Sequence, residues 1–139
     1  MKKNESINTV LTRDVITVHT GQKLSDVNHV FKQHPIHHLP VLDGKKPVGI
    51  ISTNDIFKLI FNVDGTDERM ADAMLDHQFS ISDVMQRDIE TLTTKASVKD
   101  AAMILQDSSL HSVLVVDDHG DLAGIVTTTD LIRYLLDQF

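Results

Sequence analysis

Residues 49 to 60 read GIISTNDIFKLI and residues 124 to 135 read GIVTTTDLIRYL. Both copies run Gly, two β-branched residues, a hydroxyl, two further residues, Asp and an apolar stretch. The duplication extends well beyond these segments. Displacing the sequence by 74 residues lays Ile7, Val10, Arg13, Asp14, Thr17 and Thr20 on Ile81, Val84, Arg87, Asp88, Thr91 and Thr94, and lays Asp26, His37, Val41 and Asp43 on Asp100, His111, Val115 and Asp117. One extra residue in the second half makes the displacement 75 from Gly49 and Gly124 onward. A repeat of this size predicts two supersecondary units that complete a core together.

Each half has the same order. INTVL at 7–11 and ISDVM at 81–85 read as short helical leaders, and VITV at 15–18 and IETL at 89–92 as short strands. Leu24, Val27, Val30 and Phe31, matched by Val98, Ala101, Ala102 and Leu105, recur at helical spacing. Strands follow at 38–42 and 112–116. DGKK at 43–46 and DDHG at 117–120 are turns by composition, leading to strands that end in the duplicated motif. The unit is β-α-β-β-α, an α/β (α+β) chain with a first repeat over 1–62, a partly helical linker over 63–80 and a second repeat over 81–139. In the linker, Asp64-Gly65 marks a break, and a helix from about Thr66 or Arg69 would place Met70, Ala73 and Met74 on one face, expected to pack on the domain.

In each duplicated motif the β-branched pair suits a buried strand, Ser52 or Thr127 ends it, and an amphipathic helix begins. The first amides of a helix lack intrahelical partners and favour an anion. An aspartate one turn in changes the partner: Asp55 and Asp130 would repel a bare phosphate but can accept two hydrogen bonds from a sugar diol, with Ser52 and Thr127 facing the phosphate side. The competing reading is a capping box, in which the aspartate reaches back to the backbone of its own Ser or Thr. Both readings stand on the sequence. Carboxylates turned onto their own amides with no hollow beside them would remove the ligand reading.

Composition excludes several classes. Aromatic residues make up 4% and Trp is absent, so a flat ligand would be gripped by aliphatic side chains. A formal charge of −7 opposes nucleic acid and acidic membranes as partners. Without Cys there is no thiolate metal site, disulfide or cysteine nucleophile. No apolar window approaches the roughly 18 residues of a membrane span and the start lacks an apolar core, so a cytoplasmic protein is the expectation.

The remaining polar residues have two readings each. His37 and His111 are equivalent, and an imidazole there can donate to phosphate or bond the backbone. His29, His34, His37 and His38 cluster in sequence, but no thiolate or acidic motif supports zinc, and no metal is expected. Arg13 and Arg87 read as surface residues or phosphate contacts, and Lys58 and Arg133 as helix-face charges.

With TRDVITV and QRDIETL, IHHLPVLD and LHSVLVVD, and the two Gly-hydrophobic-hydrophobic-Ser/Thr-x-x-Asp motifs in register, the chain resembles the tandem cystathionine β-synthase (CBS) domain pair, or Bateman module, of the stand-alone bacterial type. The resemblance covers essentially the whole chain. It implies two repeats packed sheet to sheet about a pseudo-twofold axis, with two clefts that in many members bind adenine nucleotides. Carried over residue by residue, it places nucleotide contacts at Ile16, Thr17, Ile36, His37, Ser52, Thr53 and Asp55. In the second half the positions are Thr91, Leu110, His111, Thr127, Thr128 and Asp130. The Ser/Thr hydroxyl would meet phosphate or ribose, the Asp the ribose diol, and the main chain the base. Two departures matter: Val113-Leu114 stands where the first repeat has Leu39-Pro40, and Glu90 stands at a base-holding position that is usually apolar. The first repeat is therefore expected to hold the better site.

There is no Gly-rich phosphate loop, Gly-x-Ser-x-Gly elbow or His-Glu-x-x-His, so a non-catalytic role is expected. The expected function is regulatory binding of AMP, ADP or ATP, with or without magnesium. Binding would act by favouring one packing or dimer state over another. The leading Met and the end at Phe139 suggest no effector domain, leaving output to a homodimer or a separate effector protein. A scaffold with degenerate clefts, or a site for S-adenosylmethionine or another adenosyl ligand, is the alternative.

Overall fold

The fold is taken from a computed structural model that describes residues 4–60 and 68–139. The expected break at Asp64-Gly65 and the helix start at Thr66 lie outside the described residues. The described residues form two three-stranded sheets, and the chain divides into two compact units.

One unit contains residues 16–44 and 48–88. Its sheet has the order β1 (Val18–His19), β2 (His38–Asp43), β3 (Lys46–Ser52), with α1 (Leu24–Gln33) between β1 and β2 and α2 (Thr53–Ile60) after β3. Two further helices, α3 (Glu68–Gln78) and α4 (Ile81–Val84), belong to the same unit. The other unit contains residues 1–15, 45–47 and 89–139. It holds a 3-10 turn at Ile7–Thr9, β4 (Thr91–Thr93), α5 (Val98–Leu105), β5 (Ser112–Val116), β6 (Leu122–Thr127) and α6 (Thr128–Asp137). In its sheet β4 pairs parallel to β5, and β5 antiparallel to β6.

The units therefore interleave the sequence repeats: each leader is laid on the sheet of the other repeat. Thr12 exchanges two backbone hydrogen bonds of 2.9 Å with Ile125 on β6, and Gln86 exchanges bonds of 2.8 and 3.0 Å with Ile50 on β3. These paired bonds make a one-residue antiparallel ladder at each site. Side chains follow. Ile7 and Val10 join the core of Val98, Ala101, Leu105, Val113, Val115 and Val126, whereas Ile81 and Met85 join that of Leu24, Val27, Leu39, Val41, Ile51 and Ile56. Burying each such leader residue is worth about 2 kcal/mol. Arg13 donates to the Asn8 side chain at 3.1 Å and Arg87 to the Ser82 carbonyl at 2.9 Å, so the repeated arginines each brace their own leader.

The glycine of the duplicated motif now has a cause. A Cβ on Gly124 would collide with the Thr12 carbonyl and lie 2.6 Å from Leu11 Cδ1; on Gly49 it would lie 2.5 Å from Met85 Sδ. Only a glycine lets the leader approach so closely. Gly44 and Gly120, with φ of 64° and 81°, supply the left-handed residue in the two turns.

Two expectations are corrected. The strands expected at 15–18 and 89–92 begin later, at Val18 and Thr91, because a ladder forms only where β2 and β5 offer partners. Before β1, the Val15 amide closes a turn on the Arg13 carbonyl at 2.9 Å. Met70, Ala73 and Met74 do not face the core; they are exposed, and α3 buries Leu75 instead. Helix α3 is held to α1 by polar contacts. Asp76 accepts from the Ser25 amide at 2.9 Å and its hydroxyl at 2.6 Å, and His29 Nε2 lies 3.0 Å from Asp72. The spacing of α1 does hold: Leu24 and Val27 are buried, with Val30 and Phe31 packed beside them. In α5, Val98, Ala101 and Leu105 are buried but Ala102 is exposed. No helix among the described residues is long and apolar enough to cross a membrane.

Replacing Gly124 by Ala is expected to destabilise the protein by about 3 kcal/mol, because backbone must move, and Gly49→Ala by about 1 kcal/mol, because the Met85 side chain can yield. Urea denaturation of the two variants checks the order.

Candidate ligand-binding corners

The Ser/Thr-x-x-Asp pattern occurs at four helix starts, and all four are capping boxes. At α4, α5 and α6 the Ser80, Ser97 and Thr127 side chains accept from the amides of Asp83, Asp100 and Asp130, whose carboxylates accept in return from the cap amides. At α2 the Ser52 amide donates to Asp55 Oδ2 at 2.9 Å and the Asp55 amide to Ser52 Oγ at 3.2 Å. The cap reading is thus realised in both duplicated motifs. Whether a corner can also bind a ligand depends on what its caps leave open.

The two corners share one contact. The Thr53 amide donates to the His37 carbonyl at 3.0 Å, and the Thr128 amide to the His111 carbonyl at 3.3 Å. Each bond draws the segment before the middle strand against the helix start. In the second repeat, Ser112 opposes Thr127 and Thr91 opposes Leu114, so the starts of β4 and β5 and the end of β6 lie at one end of the sheet. Thr91, Leu110, His111, Thr127, Thr128 and Asp130 gather there. In the first repeat, Val18 opposes Val41, and the Thr53–His37 bond puts Ile16, Thr17, Ile36, His37, Ser52, Thr53 and Asp55 at the corresponding end. The imidazoles of His37 and His111 are exposed, and it is their carbonyls that tie the corners together.

The corners differ in what remains available. Asp130 Oδ2 accepts from the Thr127 amide at 2.9 Å and the Thr127 hydroxyl at 3.1 Å, and the Thr12 hydroxyl lies 3.2 Å from Oδ1 and 3.3 Å from Oδ2. Both oxygens are engaged. Among the described residues Asp55 accepts only through Oδ2, Oδ1 takes no hydrogen bond, and the residue is half-buried. Ser52 Oγ accepts from Asp55, and among the described residues its hydroxyl donates to none, unlike that of Thr127. The main chain shows the same contrast. The Leu114 amide donates to the Glu90 carbonyl at 3.1 Å. Pro40, the equivalent of Leu114, has no N–H to give the Ile16 carbonyl. That is also why β1 is one residue shorter than β4. The Glu90 side chain is exposed.

Sequence reasoning missed Thr12 and the role of Pro40. The signals were present: the leaders differ at Thr12 and Gln86, and a proline in a middle strand always removes a donor. The histidine cluster does not converge on a metal; no group of three or more His, Asp or Glu side chains does so among the described residues.

Comparison with known proteins gives a family match to the CBS domain over residues 7–62 and 81–137. The uncharacterized protein MJ1426 of Methanocaldococcus jannaschii is 33% identical over 145 residues, covering 87% of this chain and 86% of that protein. MJ1232 of the same organism is 27% identical and covers 98% of this chain, which spans 41% of its length. The solved CBS domain pair of MJ0100, in complex with 5-methylthioadenosine and S-adenosyl-L-methionine, has a TM-score of 0.75 and 26% identity, covering 98% of this chain and 99% of that one. CBSX2 in complex with AMP has a TM-score of 0.79 and 22% identity, covering 96% and 98%. At that identity the likeness is one of fold.

The capping boxes also set an acid limit. The Ser80 hydroxyl and then its amide hold Asp83 below the usual carboxylate range, and the Ser97 amide and then its hydroxyl do so for Asp100. A folded carboxyl that protonates at lower pH than its unfolded counterpart adds stability above the unfolded range, and this is lost as pH falls. Stability is expected to fall below about pH 4, and the double variant Asp83→Asn, Asp100→Asn to show a flatter acid limb in urea titrations across that window.

Proposed function

The chain belongs to the CBS domain family, as a tandem pair or Bateman module, and we propose that it is a non-catalytic regulatory module binding an adenine nucleotide at the first repeat. The observation that carries this reading is the open Asp55 Oδ1 at the same sheet end as the Ile16 carbonyl, which lacks a ladder donor. A carboxylate oxygen left unbonded by the cap accepts from a ribose diol, the Ile16 carbonyl, to which Pro40 offers no N–H, accepts from the adenine amine, and the Ser52 hydroxyl donates toward the sugar or phosphate. The surrounding Ile16, Ile36 and Thr17 are half-buried and give the base an aliphatic rather than an aromatic grip. His37, exposed at the same corner, adds a donor for phosphate.

MJ0100, with its bound S-adenosyl-L-methionine and 5-methylthioadenosine, supports the wider class of adenosyl ligands, since base and ribose are common to both. AMP, ADP and ATP differ from these in needing a phosphate partner. Output passes to an effector protein or through a second copy of this chain. Ile132, Leu135, Leu136 and Phe139, at helical spacing along and just beyond α6, are all exposed, and this apolar stripe fits an isologous dimer.

AMP, ADP or ATP at a hundred times its dissociation constant is expected to stabilise the protein by about 2.7 kcal/mol, read as a rise in melting temperature. Asp55→Ala should lose both its cap and that rise. Asp83→Ala, which removes a comparable cap on α4, should lower the melting temperature and leave the rise intact. A melting curve that no adenosyl compound moves would favour a scaffold with unused clefts.

For the dimer, Leu136→Glu should bring the mass measured by light scattering down to the 15.5 kDa of one chain. An unchanged mass, or a wild type that is already monomeric, removes the α6 interface.

A further inference from the structure

We infer that Thr12 is a specificity-determining residue that keeps the second corner closed to the sugar, so that the pair takes one adenosyl ligand rather than two. The inference rests on the reading of Asp55 as the ribose acceptor, and extends it to the corner where that acceptor is already occupied.

Both carboxylates accept from their own cap amides through Oδ2, so the difference at Oδ1 comes from a third residue. A carboxylate has about four lone-pair positions, and a sugar diol needs two of them on the open side. At Asp130 the caps take Oδ2, and the Thr12 hydroxyl bridges Oδ1 and Oδ2. A ribose hydroxyl must displace it. The Thr12 backbone is fixed beside Asp130, because its amide and carbonyl are both bonded to Ile125 at 2.9 Å and its carbonyl leaves no space for a Cβ on Gly124. At the first corner the equivalent residue is Gln86, held in the same way to Ile50. Its side chain is exposed and makes no hydrogen bond to Asp55. The gate is thus delivered from the first leader to the second repeat, and has no counterpart in the opposite direction.

The test is a titration of 15N-labelled full-length protein with AMP, following the amide signals of Ser52 and Asp55 separately from those of Thr127 and Asp130. Wild type should saturate the first corner while the second responds only at much higher concentration. Thr12→Val, which keeps the branched shape and removes the hydroxyl, should tighten the second corner by about tenfold, the worth of one hydrogen bond to a charged group. Thr12→Ser should behave as wild type. Gln86→Thr, which brings a hydroxyl to Asp55 without touching Thr12, should weaken the first corner by a similar factor. If AMP binds the first corner but Thr12→Val and Gln86→Thr leave both corners within about twofold of wild type, the gate is wrong and the ribose reading survives. If wild-type Ser52 and Asp55 do not respond at all, the ribose reading has failed, and the gate falls with it.

Discussion

Two residue-long ladders, Thr12 with Ile125 and Gln86 with Ile50, hold the rest of the structure in place. Each satisfies a backbone donor and acceptor on a leader and on a buried strand, where an unmade bond costs about 1–3 kcal/mol. Each requires a glycine beside it, because the leader passes through the space a Cβ would fill. Core residues Ile7, Val10, Ile81 and Met85 arrive with the leaders, so the bonding and the packing are one event. The corner helices start immediately beyond these strands, and the position of Asp55 and Asp130 follows from the same contact.

A motif whose chemistry suits both a cap and a ligand holder cannot be read for either role from its letters. Ser80 with Asp83 and Ser97 with Asp100 have the same chemistry as the duplicated corners and simply start helices. What separates Asp55 among the described residues is its surroundings: an Ile16 carbonyl to which Pro40 gives no N–H, a Ser52 hydroxyl that makes no bond of its own, and an Oδ1 that accepts none. At Asp130 each of those features is consumed, by Leu114, by the Thr127 hydroxyl's own bond and by Thr12.

The repeat, the element order and the α/β class were legible because hydrophobic spacing and turn glycines act locally, over a few residues. The same holds for the corner, whose Ser-x-x-Asp spacing is a local device. The partner of each leader was not legible. INTVL and ISDVM carry apolar residues that would fill either sheet, and nothing local says which; the choice is made by long-range packing. Met70 and Met74 misled for a related reason. An apolar residue at helical spacing marks a face, while Ser25 and His29, reaching for Asp76 and Asp72, decide which face of α3 turns inward. The asymmetry between corners is expected from Val113-Leu114 in place of Leu39-Pro40 and from Glu90; the Glu90 side chain is exposed, and it is its backbone carbonyl, held by Leu114, that differs from the first repeat.

The exchange of leaders has an architectural consequence. A lone repeat of this design brings a sheet without the segment that covers it, together with a segment whose sheet is elsewhere. Two single-repeat polypeptides could satisfy each other by trading arms, and fusing them end to end would preserve that trade within one molecule. Once fused, the arms are free to diverge, since each now meets a different host. Thr12 and Gln86, at equivalent positions on the two arms, differ in this way.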